Sequence, residues 1–275
     1  MVAARRRVLD SGVYAPIADR VAAQVMELVR ERERERERER VFCVVDAGCG
    51  EGYYLQQIER RLVAEGLISF CKTNDRKEVI DFESVLPDGG SSPLGARMAK
   101  RSMSSLAGIA PALIGVDISK WAVQAAAKRT KGCFWAVATN RHLPIAAGNA
   151  ELILCMFGFP VWEAFASVQP PCGHVLMVDP GPDHLIELRS IIYPSVHRSE
   201  VASAAPEGAH AHYEIRNEER VQFEVELYNR TQISDLLAMT PHDHRAPLAG
   251  REALARYDRL RVTVDVVFKL MRLRG

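Results

Sequence analysis

Residues Val44 to Tyr54 read "VVDAGCGEGYY", three glycines at alternate positions directly behind the apolar run Val41 to Val45. A short β-branched run of this kind reads as a buried strand ending at Asp46, and helical spacing resumes from Tyr53 to Leu62. The unit is strand, glycine turn, helix, and what the turn can hold decides the fold. A dinucleotide turn needs GxGxxG, its last glycine admitting close contact between helix and strand. Here the pattern is Gly48-x-Gly50-x-Gly52, with Tyr53 where the third dinucleotide glycine would stand, which disfavours NAD. No Gly-Lys-Ser/Thr follows, so a phosphate loop fails as well. What remains is a strand whose backbone approaches a ligand closely at the carboxyl edge of a sheet.

Outward from this turn the chain alternates strands and helices. Ile114 to Asp117 reads as a second strand, followed by a helix from Ser119 to Arg129 with Ser119 as N-cap. Further strands are expected at Cys133 to Ala138, Ala150 to Met156 and His174 to Val178, with a helix at Trp162 to Val168. Val221 to Tyr228 and Leu260 to Leu270 alternate with period two around a helix at Thr231 to Met239, and read as antiparallel last strands. The expected fold is therefore α/β: a doubly wound, seven-stranded, mostly parallel Rossmann-like sheet with an N-terminal helical segment.

Two domains of unequal size are expected. Residues 1–40 comprise two helices, joined near Ser11-Gly12 and restarted at Pro16, and the run RERERERERER over 30–40. In that run i,i+3 pairs attract while i,i+4 pairs carry like charge, so it reads as a solvated helix extension or linker. Residues 41–275 form the main domain, with an inserted flexible loop at about 68–110, rich in Gly, Ser, Pro and charge.

Composition narrows the function. The formal net charge of +1, from 36 basic and 35 acidic residues, excludes a global field for nucleic acid or anionic membrane, so any RNA surface must be local. The six cysteines show no CxxC pair and no His at ligand spacing, so zinc is not expected. Cys43 and Cys155, in apolar runs, read as buried thiols of a reducing compartment. No apolar run approaches the roughly 20 residues of a bilayer span, and no secretory signal is recognisable, so the expected location is the cytoplasm. Organelle targeting through Arg5 to Arg7 stays open.

The acids around the turn suit S-adenosylmethionine. Glycines let the backbone pass its methionine moiety, Asp46 or Glu51 can face its amino group directly or through water, and Asp117 can accept both ribose hydroxyls. Each residue also has an ordinary structural reading: the glycines as a tight turn, Asp117 as a helix cap or solvated acid. Asn140 and Arg141, past the third sheet strand, lie where such folds meet adenine, though Asn140 equally suits a loop cap. Phe157 and Phe159, after the fourth strand, could stack on an extruded base or pack in the core. That position, "MFGFP", is unlike the Asn-Pro-Pro-Tyr quartet of amino-group methylating enzymes, which favours another acceptor such as a ring nitrogen.

Longer stretches are more specific than the fold. "ARRRVLDSGVYAPIADRV", "VDAGCGEGYY", "GVDISKWAVQAAAKR", "PGPDHLIELRSIIYPSVH" and "LLAMTPHDHRA" together resemble the bacterial large-subunit (23S) ribosomal RNA (guanine-N1)-methyltransferases, from about Ala3 to near the C-terminus. The resemblance implies a class I S-adenosylmethionine-dependent methyltransferase, ribosomal RNA as partner, and pairing of subunits into a homodimer. It implies that Tyr14, Gly50, Glu51 and His184 touch the cofactor; Tyr14 can wall it with its ring and His184 can reach its methionine carboxylate. Without the resemblance, Tyr14 reads as helix packing and His184 as a surface histidine. The family begins with a four-ligand zinc module, which this chain lacks, Met1 standing two residues before the matching helix. A small-molecule methyltransferase and a non-catalytic S-adenosylmethionine-binding protein remain the alternatives. A basic rim from Arg97, Lys100, Arg101, Arg189, Arg198 or Arg245 would favour RNA.

Overall fold

β1 (Cys43–Ala47) is buried along its whole length and pairs in parallel on both sides, with β3 (Ala112–Asp117) and β5 (Leu152–Met156). It is the centre of a sheet seen in a computed structural model that describes residues 2–34, 41–68, 79–81, 111–196 and 208–275. The remaining strands are β2 (Val79–Asp81), β4 (Phe134–Val137), β6 (His174–Pro180), β7 (Tyr213–Leu227) and β8 (Leu260–Leu273). Their order is β2-β4-β3-β1-β5-β6-β8-β7, parallel as far as β6, with β8 antiparallel to β6 and β7 antiparallel to β8. The expected seven strands are present in a doubly wound order. An eighth, β2, extends the β4 edge from within the segment read as a loop; the rest of 69–110 lies outside the described residues.

Local sequence explains the elements. α1 (Val2–Asp10) and α2 (Ala15–Arg34) break at Gly12, whose φ of 86° suits glycine. Ile17, Val21 and Val25 recur on one face of α2 and are completely buried, each worth about 1.5–3 kcal/mol of transfer free energy. They share one core with α3 (Tyr53–Ala64) and one face of the sheet. α4 (Lys120–Arg129) starts at Ser119, whose hydroxyl accepts from the Ala122 amide at 3.3 Å. α5 (Trp162–Val168) covers the opposite face through Phe165 and Val168.

The C-terminal half carries α6 (Ile186–Ile192), α7 (Arg230–Ala238), α8 (His242–Arg245) and α9 (Leu248–Leu254). β7 begins eight residues before the expected start, because its first half, "YEIRNEER", puts charge where alternation was sought and bulges between Ile215 and Asn217. One arginine of the charge run is taken up by the fold. Arg32, on the last turns of α2, pairs with Glu151 at 2.8 Å and lies over the Phe42 ring, while Glu151 accepts from the Cys43 amide at 2.8 Å. Residues 35–40 lie outside the described residues.

The strand order reverses direction between β3-β1 and β5-β6, so the crevice at the carboxyl ends of β1 and β5 is the switch point where ligands enter such sheets.

Candidate active site

Asp46, near the end of β1, is fully buried and neither of its carboxylate oxygens has a hydrogen-bond partner. Burial pushes its carboxyl up to about 7; Arg5 pulls it down and Asp117 pushes it up. An isolated buried carboxylate is costly, and a cationic ligand would complete the arrangement.

The three glycines behind it do different work. The Gly48 and Cys49 amides both donate to the Val116 carbonyl, at 2.8 and 2.9 Å, which ties the turn to β3. Gly48 has φ 92° and open space where a side chain would stand. Gly50, at φ 55°, donates its amide to Asp117 Oδ2 at 2.9 Å, and the Arg5 guanidinium lies against it. Gly52, at φ 80°, caps α3 and sits under Trp135: a Cβ there would be 2.5 Å from the indole. Its requirement for glycine therefore comes from packing and backbone, not from open space beside the crevice. Asp117 Oδ1 accepts from the Ser119 amide at 2.7 Å, so this carboxylate organises both the glycine turn and the start of α4.

Glu51 is turned toward α4. Its Oε2 accepts from Arg129 Nε at 2.7 Å, and Arg129 also reaches Asp10 at 2.8 Å and Gln56 at 3.1 Å. Glu51 Oε1 is buried without a partner, and burial raises the carboxyl despite Arg129. The residue thus serves first as a tie between α1, the turn and α4.

On the other side of the crevice, Tyr14, Phe157 and His184 form a ring cluster. Tyr14 and Phe157 meet edge-on at 6.0 Å between centroids, and Phe157 and His184 at 6.0 Å. His184 Nδ1 lies 2.9 Å from the Asp265 carbonyl and 3.3 Å from the Asp265 amide; the shorter contact, to an acceptor, favours the proton on Nδ1, which leaves Nε2, 3.3 Å from the Tyr14 hydroxyl, to accept from it. Burial lowers His184 to about 4 and raises the Tyr14 phenol, so both are neutral at pH 7. Phe157 has φ 54°, a left-handed backbone that costs a phenylalanine about 1–2 kcal/mol. Such local strain is a frequent mark of functional sites. Phe159 is 89% exposed, which excludes the core reading for it. The Asn140 amide donates to the Phe159 carbonyl at 3.1 Å, linking the loops after β4 and β5, with Arg141 exposed beside it.

Of the expected residues, Asp46, Gly48, Gly50 and Asp117 come together in one group, Tyr14, His184 and Phe157 in a second, and Asn140 with Phe159 in a third. Three features escaped sequence reasoning. Arg5 reaches the site from α1, its Nε buried without a partner. It stands one helical turn before buried Leu9, and a lone arginine on a buried face was the available signal. Asp265 on β8, fully buried, accepts from Arg220 at 2.8 and 2.9 Å and from the Asp183 amide at 2.9 Å, holding the loop that carries His184. Burial alone would raise the Asp265 carboxyl, but these donors outweigh it and hold it low. Ile118 and Trp121, 69% and 76% exposed, follow Asp117 and offer apolar surface at the same edge.

Of the basic residues considered for a rim, Arg97, Lys100, Arg101 and Arg198 lie outside the described residues. Arg189 donates to the carbonyls of Pro182 and His184 at 3.0 and 3.3 Å. Among the described residues, no group of three or more His, Cys, Asp or Glu could hold a metal ion, and no helix is long and apolar enough to cross a membrane.

Comparison with known proteins agrees with the resemblance read from the sequence. No family model matches the chain. A Bacillus subtilis protein with the provisional name 23S rRNA (guanine-N(1)-)-methyltransferase YxjB is 26% identical over 265 residues, 96% of this chain and 76% of that protein. The 23S rRNA (guanine(748)-N(1))-methyltransferase of Streptomyces fradiae is 26% identical over 275 residues, 99% of this chain and 79% of that protein. Similar solved structures include an S-adenosylmethionine dependent methyltransferase from Mesorhizobium loti, 11% identical, covering 96% of this chain and 99% of its own, at a TM-score of 0.42. They also include the plantazolicin methyltransferase BpumL in complex with SAH, 12% identical, covering 98% and 90%, at 0.46.

Proposed function

We propose that this chain is an S-adenosylmethionine-dependent methyltransferase that methylates N1 of a guanine in large-subunit ribosomal RNA. The observation that carries the cofactor half is Asp46, buried without a partner at the switch point beside Asp117. The residues fit the cofactor: Asp46 supplies acceptors for an ammonium, Gly48 leaves room for close approach, and Asp117 offers its remaining lone pairs to a ribose diol. The two relatives named for 23S rRNA support the acceptor half.

S-adenosylmethionine supplies an electrophilic methyl group on a sulfonium. The protein's contribution is then alignment of donor carbon and acceptor nitrogen in line, so that the N–C bond forms as the S–C bond breaks to a neutral thioether and the guanine N1 proton passes to water or a base. Tyr14, His184 and Phe157 present a neutral wall of rings, which excludes water without competing as a nucleophile. Phe159, exposed and held at its carbonyl by Asn140, is the proposed platform for an extruded guanine. Residues 41–275 are the proposed catalytic domain, with 1–40 packed as a segment it needs; the cytoplasm is the proposed location and a homodimer the proposed assembly.

The test is transfer of labelled methyl from S-adenosylmethionine to 23S ribosomal RNA lacking the mark, with the position read as a reverse-transcription stop, since N1 methylation blocks base pairing. A stop at one guanine is expected. Cofactor binding without transfer to any RNA would overturn the acceptor. The near-balanced charge favours a second reading, a small-molecule methyltransferase, whose activity would be insensitive to ribonuclease and to salt.

A further inference from the structure

Arg5, a cation, and Asp46, an acid, lie near enough to interact and do not hydrogen-bond to one another. Arg5 Nε is buried without a partner, and so are both oxygens of Asp46. Elsewhere in this molecule a buried carboxylate near an arginine is taken up directly: Arg129 binds Glu51 and Arg220 binds Asp265 in hydrogen-bonded pairs. The Arg5 guanidinium instead lies along the glycine turn, 3.5 Å from where a Cβ on Gly50 would stand. It is close enough to Asp46, Tyr14 and Tyr54 to perturb all three.

The helix that carries it is anchored. Arg7 makes two hydrogen bonds of 2.7 Å to Asp235 on α7, and Asp10 accepts from Arg129 at 2.8 Å. α1 is therefore held by two ties, both C-terminal to Arg5, while Ala4, Val8 and Leu9 bury its inner face. The other polar groups at this point have protein partners: Asp117 accepts from the Gly50 and Ser119 amides, and the Tyr14 hydroxyl bonds to His184.

A simple anion would satisfy Arg5 and leave Asp46 buried and unpaired, and a simple cation would do the reverse. A ligand carrying both charges a few bonds apart satisfies both, and an α-amino acid terminus is such a ligand. We propose that Arg5 and Asp46 form a split receptor for the zwitterionic methionine end of S-adenosylmethionine, Arg5 binding its carboxylate and Asp46 its ammonium. The inference rests on the cofactor reading above and adds the N-terminal helix to the cofactor site. Arg5 is a binding residue in this scheme.

The test is calorimetric binding of S-adenosylmethionine and of its decarboxylated analogue, which keeps the ammonium and lacks the carboxylate, to the wild-type chain and to Arg5→Met. The variant is expected to bind S-adenosylmethionine about tenfold or more weakly, the usual scale for a charge-assisted hydrogen bond. It should bind the decarboxylated analogue within about twofold of wild type, since the missing partner cannot be missed twice. Arg6→Met, on the exposed neighbour, should leave both affinities unchanged. Equal losses for both ligands, or no loss for either, would overturn the proposal while leaving the cofactor reading in place. Failure of the wild-type chain to bind S-adenosylmethionine at all would overturn both. If Arg5→Met does not fold, the wild-type comparison decides alone, and equal affinity for the two ligands refutes the carboxylate contact.

Discussion

Two aspartates at the carboxyl edge of the sheet are both completely buried, and they live in opposite chemistry. Asp265 on β8 accepts from Arg220, from the Asp183 amide and sits against Gly181, where any Cβ would overlap its carboxylate. Asp46 on β1 accepts from nothing. The first is held below the usual carboxylate range, the second is raised to about 7. Burial alone therefore says nothing about role. A saturated buried acid is architecture, while an unsaturated one is a vacancy in the hydrogen-bond inventory that a ligand can fill.

The contrast can be broken by substitution. Asp265→Ala strands the Asp183 amide and the Arg220 guanidinium, and should lower unfolding free energy by about 3 kcal/mol, read from denaturant melts. The His184 ring bonds to the Asp265 main chain, which alanine keeps, so cofactor affinity should fall only as far as the loop anchored by the Asp183 amide moves. If the melt is unchanged, the saturated cluster is not structural and the comparison fails.

The neighbouring glycines give the next largest effect. Gly181→Ala must displace the Asp265 carboxylate and should cost about 1–3 kcal/mol. Gly48→Ala meets no atom within 4 Å, so its cost should be limited to the roughly 1 kcal/mol of a left-handed alanine, with the greater loss in cofactor binding. Thermal melts beside calorimetric titrations separate the two.

Asp46→Asn should reverse the pattern seen at Asp265: stability held or raised, affinity for S-adenosylmethionine reduced about tenfold. The wild-type pH profile carries the same information. The folded Asp46 carboxyl titrates near 7 and the unfolded one near the usual 3.9, so the native state holds an extra proton between those values. Its contribution to stability is present below about pH 4 and is lost as pH rises through about 7. Cofactor affinity should move the other way, strengthening as pH rises through about 7, because the ammonium prefers the carboxylate. Asp46→Asn should flatten both slopes. The smallest effect on stability belongs to Phe159→Ala, which at 89% exposure should leave the melt unchanged and lower methyl transfer to RNA alone.

The glycine turn, the parallel strands and most helix limits were legible because they are local. Trp162–Val168 and the Ser119 cap fall where periodicity and N-cap chemistry put them. Asp46 and Asp117 were legible as a pair because two strand ends announce them. The tie of Glu51 to Arg129 was not: 78 residues separate the partners, and a glutamate between glycines looks free. The same holds for Asp265, whose period-two neighbours mark it as a strand residue and say nothing of Arg220 on the adjacent strand. Nor can sequence show Trp135 above Gly52, the contact that leaves no room for a side chain there. Arg5 was hidden among three arginines, and only the docking of α1 separates it from Arg6 and Arg7.

The Arg32 contact with Glu151 has a consequence for how this chain can change over generations. Alternating two-residue repeats readily gain or lose units during copying of their genes. In this tract the paired arginine lies near its beginning, on the last turns of α2, so the contact itself is made by no unit after Arg34. A substitution confined to the units after Arg34 therefore leaves both partners of that pair in place.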